Sequence, residues 1–305
     1  MSQERTVEDL IKEFNATLDK MDNTKISYAG ILDRYARYLR ANNITKPTEI
    51  DIVNYKNKYL KKRVKSATIQ KYIVVLRRFY SWCHRHHYYD DNIALALQCE
   101  KINPTFQRKA LTIEQTKKLL HKAKIRSKKS IVNFRNYVII TLIVMTGLRT
   151  IEVARANVED IIDDGEQAIL LIQGKGHDGK DAQIKLPSHV MGLITEYLMK
   201  RESDSDALFL NHGNHNGGDR IDPKTISYFC KDLLSSIGLD GKEYTAHSLR
   251  HTCATLALKN GAKESEVQMV LRHKSINTTM IYSHHIERET NNTELIVADA
   301  ILKKN

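Results

Sequence analysis

The sequence predicts a mainly α protein of two domains with one small β-hairpin, on three observations. The chain has 305 residues with only 4 Pro and 13 Gly, and at roughly 100–200 residues per domain that length makes two domains. Apolar residues recur at helical spacing through the first hundred residues and again beyond residue 112. Around residues 168–186 the pattern becomes period two, the mark of short strands. With 41% apolar and 28% charged residues, the chain can bury real cores and is neither a disordered tail nor a collagen-like repeat.

The first apolar face is Val7, Leu10, Ile11, Phe14, Leu18 and Met21. Similar faces follow at Tyr28, Ile31, Leu32, Tyr35 and Leu39, then at Ile50, Val53 and Tyr55, then from Ile69 through Tyr72, Ile73, Leu76, Phe79 and Tyr80. Thr48 and Ser66 stand where N-caps belong. These four helices make a bundle over residues 1–100. Residues 101–110, with Pro104, read as a linker, leaving 111–305 as the second domain. There Thr112 and Gln115 form a capping box ahead of Leu119 and Leu120. A strongly apolar helix from Ile131 ends at Gly147, which suits a left-handed C-cap. The strands Ala168–Gln173 and Gln183–Leu186 are joined by the Gly-rich segment Gly174–Lys180. Helices resume at Ser188–Arg201, at Asp222–Ile237 with Pro223 in its first position, and at Thr245–Asn260, closed by Gly261.

Charge narrows the function. Lys and Arg number 48 against 36 Asp and Glu, a net charge of +12, which favours a polyanionic partner, nucleic acid ahead of a membrane surface. No acid occurs between Asp51 and Asp90, while Lys56, Lys58, Lys61, Lys62, Arg63, Lys65, Lys71, Arg77, Arg78 and Arg85 lie there, interleaved with Tyr55, Tyr59, Tyr72 and Tyr80. A run without the opposite sign fits a phosphate-tracking surface better than a solvated helix face. Of these, Lys56, Lys61, Lys62, Arg63, Lys65, Lys71, Arg77 and Arg78 are the expected DNA contacts.

Other classes fall away. The N-terminus, MSQERTVEDL, carries acids where a signal peptide is basic and then apolar, so a cytoplasmic protein is expected. The most apolar stretch, Val138–Met145, is far short of the roughly 20 residues that cross a bilayer. Cys83, Cys99, Cys230 and Cys253 have no CxxC pairing, so neither a disulfide framework nor a zinc site is expected, and reduced thiols are.

Three segments can carry chemistry. TGLRTIEV places Arg149 just past a helix end with Glu152 three residues on. HSLRH puts His247, Arg250 and His251 on one helix face. In LRHKSINTTMIYSHH, His273 precedes Tyr282 by nine residues. Singly, each has a plainer meaning: a helix salt bridge, a satisfied histidine, one tyrosine among 14. His247 and His251 lack the glutamate of H-E-x-x-H and a third ligand, so no metal is expected. Together, arginines, histidines, a lysine in a Gly-flanked turn and a tyrosine suit phosphodiester chemistry without a metal. Guanidinium groups hold non-bridging oxygens, a hydroxyl attacks, and a lysine or histidine protonates the leaving oxygen. No acidic cluster suited to a two-metal nuclease is present.

TGLR at Thr146–Arg149, GKG at Gly174–Gly176, H-x-L-R-H at His247–His251, LRH at Leu271–His273 and Tyr282, in that order, resemble the motif set of the tyrosine recombinase (phage integrase, Xer-like) family. The motifs cover residues from about 108 to 290, and the N-terminal bundle resembles that family's core-binding, SAM-like domain. The resemblance implies a two-domain C-shaped DNA clamp with a helical core-binding domain and a catalytic domain. It implies double-stranded recombination sites as substrate, a 3′-phosphotyrosyl intermediate, a Holliday junction, and neither cofactor nor ATP. Arg149 and Arg250 would clamp the scissile phosphate, Lys175 protonate the 5′-hydroxyl, His247 and His273 assist, and Tyr282 attack. Glu152 and His251 would support. The Gly-rich turn is longer than the family's usual form, and Lys180 rivals Lys175. Many members carry Gly at the position of Arg272. The apolar segment Thr293–Leu302 would cap its own domain or, as the family implies, dock on a neighbouring protomer in a tetramer. An accessory or partner recombinase is also possible in such systems. Because the bundle begins almost at residue 1, Xer-type resolution or mobile-element integration and excision is expected rather than a lambda-like arm-binding integrase. The alternatives are a non-enzymatic DNA-binding protein and a type IB topoisomerase-like strand swiveller.

Overall fold

The computed structural model describes residues 5–18, 22–99, 108–174, 179–213, 217–273, 275–276, 279–280, 282–283 and 291–302. The chain divides into two compact units, Met1–Thr105 and Phe106–Asn305. The expected linker, 101–110, lies largely outside the described residues.

In the first unit, α1 (Val7–Ala16) starts where the Thr6 hydroxyl accepts from the Asp9 N–H, and α2 spans Asp22–Ala41. α3 (Glu49–Asn54) has the same reciprocal cap between Thr48 and Asp51 and continues as a π-helical turn, Tyr55–Leu60. α4 runs Ser66–Arg85 with Lys65 at the N-cap and no side-chain cap, so Ser66 is the first helical residue and not the cap expected of it.

Ile50 is 73% exposed, whereas Ile52, Tyr55 and Leu60 are buried. The tyrosines expected to interleave with the basic run are mostly core. Tyr55, Tyr72 and Tyr80 are buried, Tyr80 shares a 2.9 Å hydroxyl hydrogen bond with Tyr35, and the Tyr55 ring lies 4.9 Å from that of Tyr35. Burial in the core accounts for these rings, with the Tyr35 and Tyr80 hydroxyls paired and the buried Tyr55 hydroxyl left without a hydrogen-bond partner among the described residues, and this explains an aromatic-rich bundle without recourse to a ligand.

The second unit is built around α6 (Ile131–Thr146), whose segment from Tyr137 to Val144 is buried throughout. α5 (Ile113–Ser127) packs on it, with the Thr112–Gln115 capping box formed. α7 (Thr150–Arg155) follows, then an antiparallel sheet of β1 (Ile161–Asp163), β2 (Ala168–Ile172) and β3 (Ala182–Lys185), in that order. Leu170 of β2 pairs with Ile161 on one side and Ile184 on the other. β1 escaped the sequence reading because three residues are too few to display alternation. α8 (Ser188–Lys200), α9 (Pro223–Ser235, capped by Asp222), α10 (Ala246–Lys259), α11 (Glu264–Leu271) and α12 (Thr293–Leu302) complete the unit.

Gly147 terminates α6 at φ 66° and donates its N–H to the Ile143 carbonyl at 2.8 Å. A Cβ there would overlap the Leu271 side chain and come within 3.4 Å of Cys253 Sγ. Both the left-handed backbone and the close approach require glycine. Gly147→Ala is expected to cost about 2–4 kcal/mol, from overpacking plus backbone strain, read as a lowered urea midpoint at constant m-value.

Candidate active site

Three sequence-distant segments meet at the end of α6. The left-handed turn at Gly147 sends the chain directly into α7, so Arg149 stands at the N-cap of that helix. Glu152, one turn on, is bound back to it: its Oε2 accepts from the Arg149 backbone N–H at 2.7 Å, and its Oε1 pairs with the Arg149 guanidinium at 2.7 Å. The Glu152 side chain is fully buried while that of Arg149 is 29% exposed. This is therefore a buried anchor for a half-exposed cation, not an exposed helix salt bridge, which stabilises little.

Arg250, from the middle of α10, is 2% exposed. It donates to the carbonyls of Gly147 and Leu271, joining the ends of α6 and α11. Burial, followed by the Arg149 charge, lowers its pKa to about 10, which still leaves it protonated at neutral pH.

His247 and His251 flank Arg250 on the same face, with ring centroids 4.8 Å apart. His251 lies 5.0 Å from the ring of Tyr282. His273 stacks on Tyr282 at 6.2 Å with an interplanar angle of 10° and shares a 2.9 Å hydrogen bond with the Thr279 hydroxyl. Tyr282 is buried among Ala254, Val267 and Leu271. All the site residues expected from the motifs thus converge, except Lys175, which lies outside the described residues. Its rival Lys180 is paired with the buried carboxylate of Asp160, which holds it to the sheet's own structure. Among the described residues no His, Cys, Asp and Glu cluster could hold a metal ion.

The electrostatics favour anions. Desolvation first, then neighbouring cations, lowers the pKa of all three histidines: His273 to about 4, with Arg250 its leading charge, and His251 to about 3, with His247 its leading charge. His247 moves the same way, under Arg250 and Arg149. Burial raises Tyr282 to about 12, against the pull of Arg250 and Arg149. At pH 7 the site therefore holds charged guanidiniums, neutral imidazoles and a protonated phenol.

Arg272 was not assigned a role by the motif reading. It closes α11 in the left-handed region, at φ 52°, and its guanidinium meets Glu152 Oε2 at 2.5 Å. The sequence signal available was the large cation in L-R-H itself.

In the first unit, Lys61, Lys62, Arg63, Lys65, Lys71 and Arg78 are exposed. Lys56 is buried and donates to the Gln98 carbonyl at 2.6 Å, and Arg77 donates to the carbonyls of Ala94 and Leu97. Those two charges tie down the segment after α4 and are withdrawn from the expected DNA contacts. Arg34 and Arg37 of α2, not among the residues singled out from the sequence, share a cleft with Lys58, Arg63, Tyr38 and Tyr59. They were missed because α2 also carries acids, among them Asp33, 2.9 Å from Arg37.

Comparison with known proteins agrees with this arrangement. Residues 109–289 match the phage integrase family, and residues 11–87 match the phage integrase N-terminal SAM-like domain. The chain is 34% identical over 221 residues to tyrosine recombinase XerC of Caldanaerobacter subterraneus subsp. tengcongensis, a match covering 70% of this chain and 57% of that relative. It is 29% identical over 272 residues to tyrosine recombinase XerC of Listeria monocytogenes serovar 1/2a, covering 86% and 87%. The fold resembles that of the XerH site-specific recombinase bound to a palindromic difH substrate in a post-cleavage complex, with a TM-score of 0.75 and 22% identity over 94% of this chain and 84% of that one.

The histidine shifts have a measurable consequence. A folded-state pKa below the unfolded value of about 6.5 means that the unfolded chain binds the extra proton. The stability that His251 and His273 contribute as neutral groups is present above about pH 6.5 and falls away toward their folded values. Between pH 6.5 and 4.5, His251→Gln is expected to flatten the dependence of unfolding free energy on pH by up to about 1 kcal/mol per pH unit, measured by urea titration.

Proposed function

The chain belongs to the phage integrase family, as a tyrosine recombinase of the Xer-like type, and from that premise we propose that it cuts and rejoins DNA at specific sites through a 3′-phosphotyrosyl intermediate. One observation carries the proposal: Arg149, Arg250, His247, His273 and Tyr282, spread over 134 residues of sequence, lie in one cationic cluster.

Arg149 and Arg250 bind the non-bridging oxygens of the scissile phosphate and stabilise the charge that builds in the pentacoordinate transition state. The Tyr282 hydroxyl attacks phosphorus. The P–O5′ bond breaks as the phosphotyrosyl bond forms, and a free 5′-hydroxyl leaves. Tyr282 must give up its proton during attack, and His273, stacked on its ring, is proposed to assist that transfer together with His247. Lys175, by its place in the GKG turn, is proposed to protonate the leaving oxygen. Because the phosphoester bond is conserved in the enzyme adduct, a 5′-hydroxyl from a second strand attacks phosphorus, the P–O bond to Tyr282 breaks and its phenol takes back a proton, so the first pair of exchanges gives a Holliday junction and the second pair resolves it without ATP.

Lys61, Lys62, Arg63, Lys65, Lys71 and Arg78, with Arg34 and Arg37, are proposed to track the phosphates of the same duplex. α12 supports assembly into a tetramer. Leu295, Ile296, Val297, Ile301 and Leu302 all remain exposed on a ten-residue helix, which gains little stability without a partner surface. Partner recombinases and the choice among resolution, integration and excision belong to the same proposal. A purely DNA-binding protein is disfavoured because it has no use for a buried tyrosine among these groups. A type IB topoisomerase is disfavoured by the Xer-like match over both domains.

Incubating the protein with a nicked target duplex in EDTA and denaturing in SDS is expected to give a covalent protein–DNA adduct. Tyr282→Phe should abolish it, and Arg149→Ala or Arg250→Ala should slow its formation about 10²–10³-fold. No adduct with the wild type, or persistence with Tyr282→Phe, defeats the mechanism. Lys62→Ala and Lys65→Ala should each weaken binding across sequences and reduce the slope of log K against log salt by about 1, read by fluorescence anisotropy.

A further inference from the structure

We propose that Arg272 is a positioning residue for strand cleavage, sharing the Glu152 carboxylate with Arg149 so that the Arg149 guanidinium is presented to the phosphate in one orientation with its charge not cancelled. The inference rests on the recombinase reading above and concerns a residue to which that chemistry assigns no role.

The carboxylate is divided between two cations. Glu152 Oε1 takes the Arg149 guanidinium, and Oε2 takes the Arg149 backbone N–H together with Arg272 Nη2. The second guanidinium is itself held: Arg272 Nη1 donates to the Val270 carbonyl at 2.7 Å, and its side chain is only 15% exposed. Rigid partners on both oxygens leave the carboxylate a single orientation, and the exposed portion of Arg149 inherits it.

Charge gives the second half of the argument. Of the two proposed clamp arginines, Arg149 is the one that still faces solvent, at 29%. Paired alone with a buried carboxylate it would be a neutral dipole. Adding Arg272 makes the three-residue unit a net cation, and the incoming phosphate meets that excess.

The backbone points the same way. Arg272 has φ 52°, a conformation that glycine adopts without strain and a long side chain does not. A non-glycine outlier at a site is a sign that the side chain has work to do there. Its neighbours make that work local to the chemistry, because the Leu271 carbonyl just before it binds Arg250 and His273 follows it. The left-handed turn thus brings one residue into reach of Glu152 while the residues on either side serve Arg250 and Tyr282.

The test uses the full-length protein and single-turnover cleavage of a nicked duplex, with DNA affinity and melting temperature measured in parallel. Arg272→Gly is expected to keep DNA affinity within about twofold and to cleave about 10–30-fold more slowly, with partial rescue by added guanidinium. In a Glu152→Gln background the same change should cost less than about threefold, because the route runs through that carboxylate. Arg272→Lys keeps the charge and loses the planar fork, so it should fall between wild type and Arg272→Gly. If Arg272→Gly lowers the melting temperature sharply, Arg272→Lys decides alone. Wild-type cleavage rates in Arg272→Gly or, in that event, in Arg272→Lys overturn the proposal, as does an equal loss with and without Glu152. If the wild type itself forms no adduct, the recombinase reading falls first and this inference with it.

Discussion

The buried carboxylate of Glu152 is the constraint on which the catalytic unit depends. An unpaired carboxylate in that position would be costly, since burying an isolated charge is far more expensive than pairing it. Two guanidiniums and a backbone N–H satisfy it, and in doing so they fix the start of α7, the end of α11 and the cation that faces solvent. Arg250 performs the complementary task with carbonyls, tying the end of α6 to the end of α11. Buried polar groups therefore set the geometry, and the apolar core around α6 supplies the rigidity against which they are set.

Gly147 makes that geometry possible. Its left-handed conformation turns the chain from the most buried helix of the unit straight to Arg149, and its missing Cβ lets α11 approach through Leu271. Removing water from the same region also moves the titrating groups. The histidines are held neutral chiefly by burial, with nearby cationic groups adding to it, whereas Tyr282 is held protonated by burial against the pull of Arg250 and Arg149. A site that is strongly cationic yet retains neutral bases beside a phenol follows from those two effects acting together.

Much of this was legible in the sequence, and what was not has physical reasons. Thr112 with Gln115, Gly147 and Pro223 announced their helix ends correctly, because caps and left-handed turns depend on local chemistry that a few residues determine. The convergence of Arg149, Arg250, His273 and Tyr282 was legible only as ordered motifs, since no local rule brings residues a hundred positions apart together. The basic run was read less well. Net charge marks a surface statistically, but burial decides each side chain, and Lys56 and Arg77 serve carbonyls while Tyr55, Tyr72 and Tyr80 serve the core. Arg272 was opaque for a related reason: its meaning lies in a backbone angle and a contact with Glu152 120 residues away, neither of which a composition or spacing rule encodes.

On the proposed mechanism, what distinguishes this protein from a basic helical DNA-binding protein is one covalent bond at one residue. Protease digestion of the trapped protein–DNA adduct, followed by tandem mass spectrometry, reads that bond directly. The account predicts a nucleotide joined through its 3′-phosphate to the peptide containing Tyr282. A nucleotide on any other residue, or attachment through a 5′-phosphate, would contradict it.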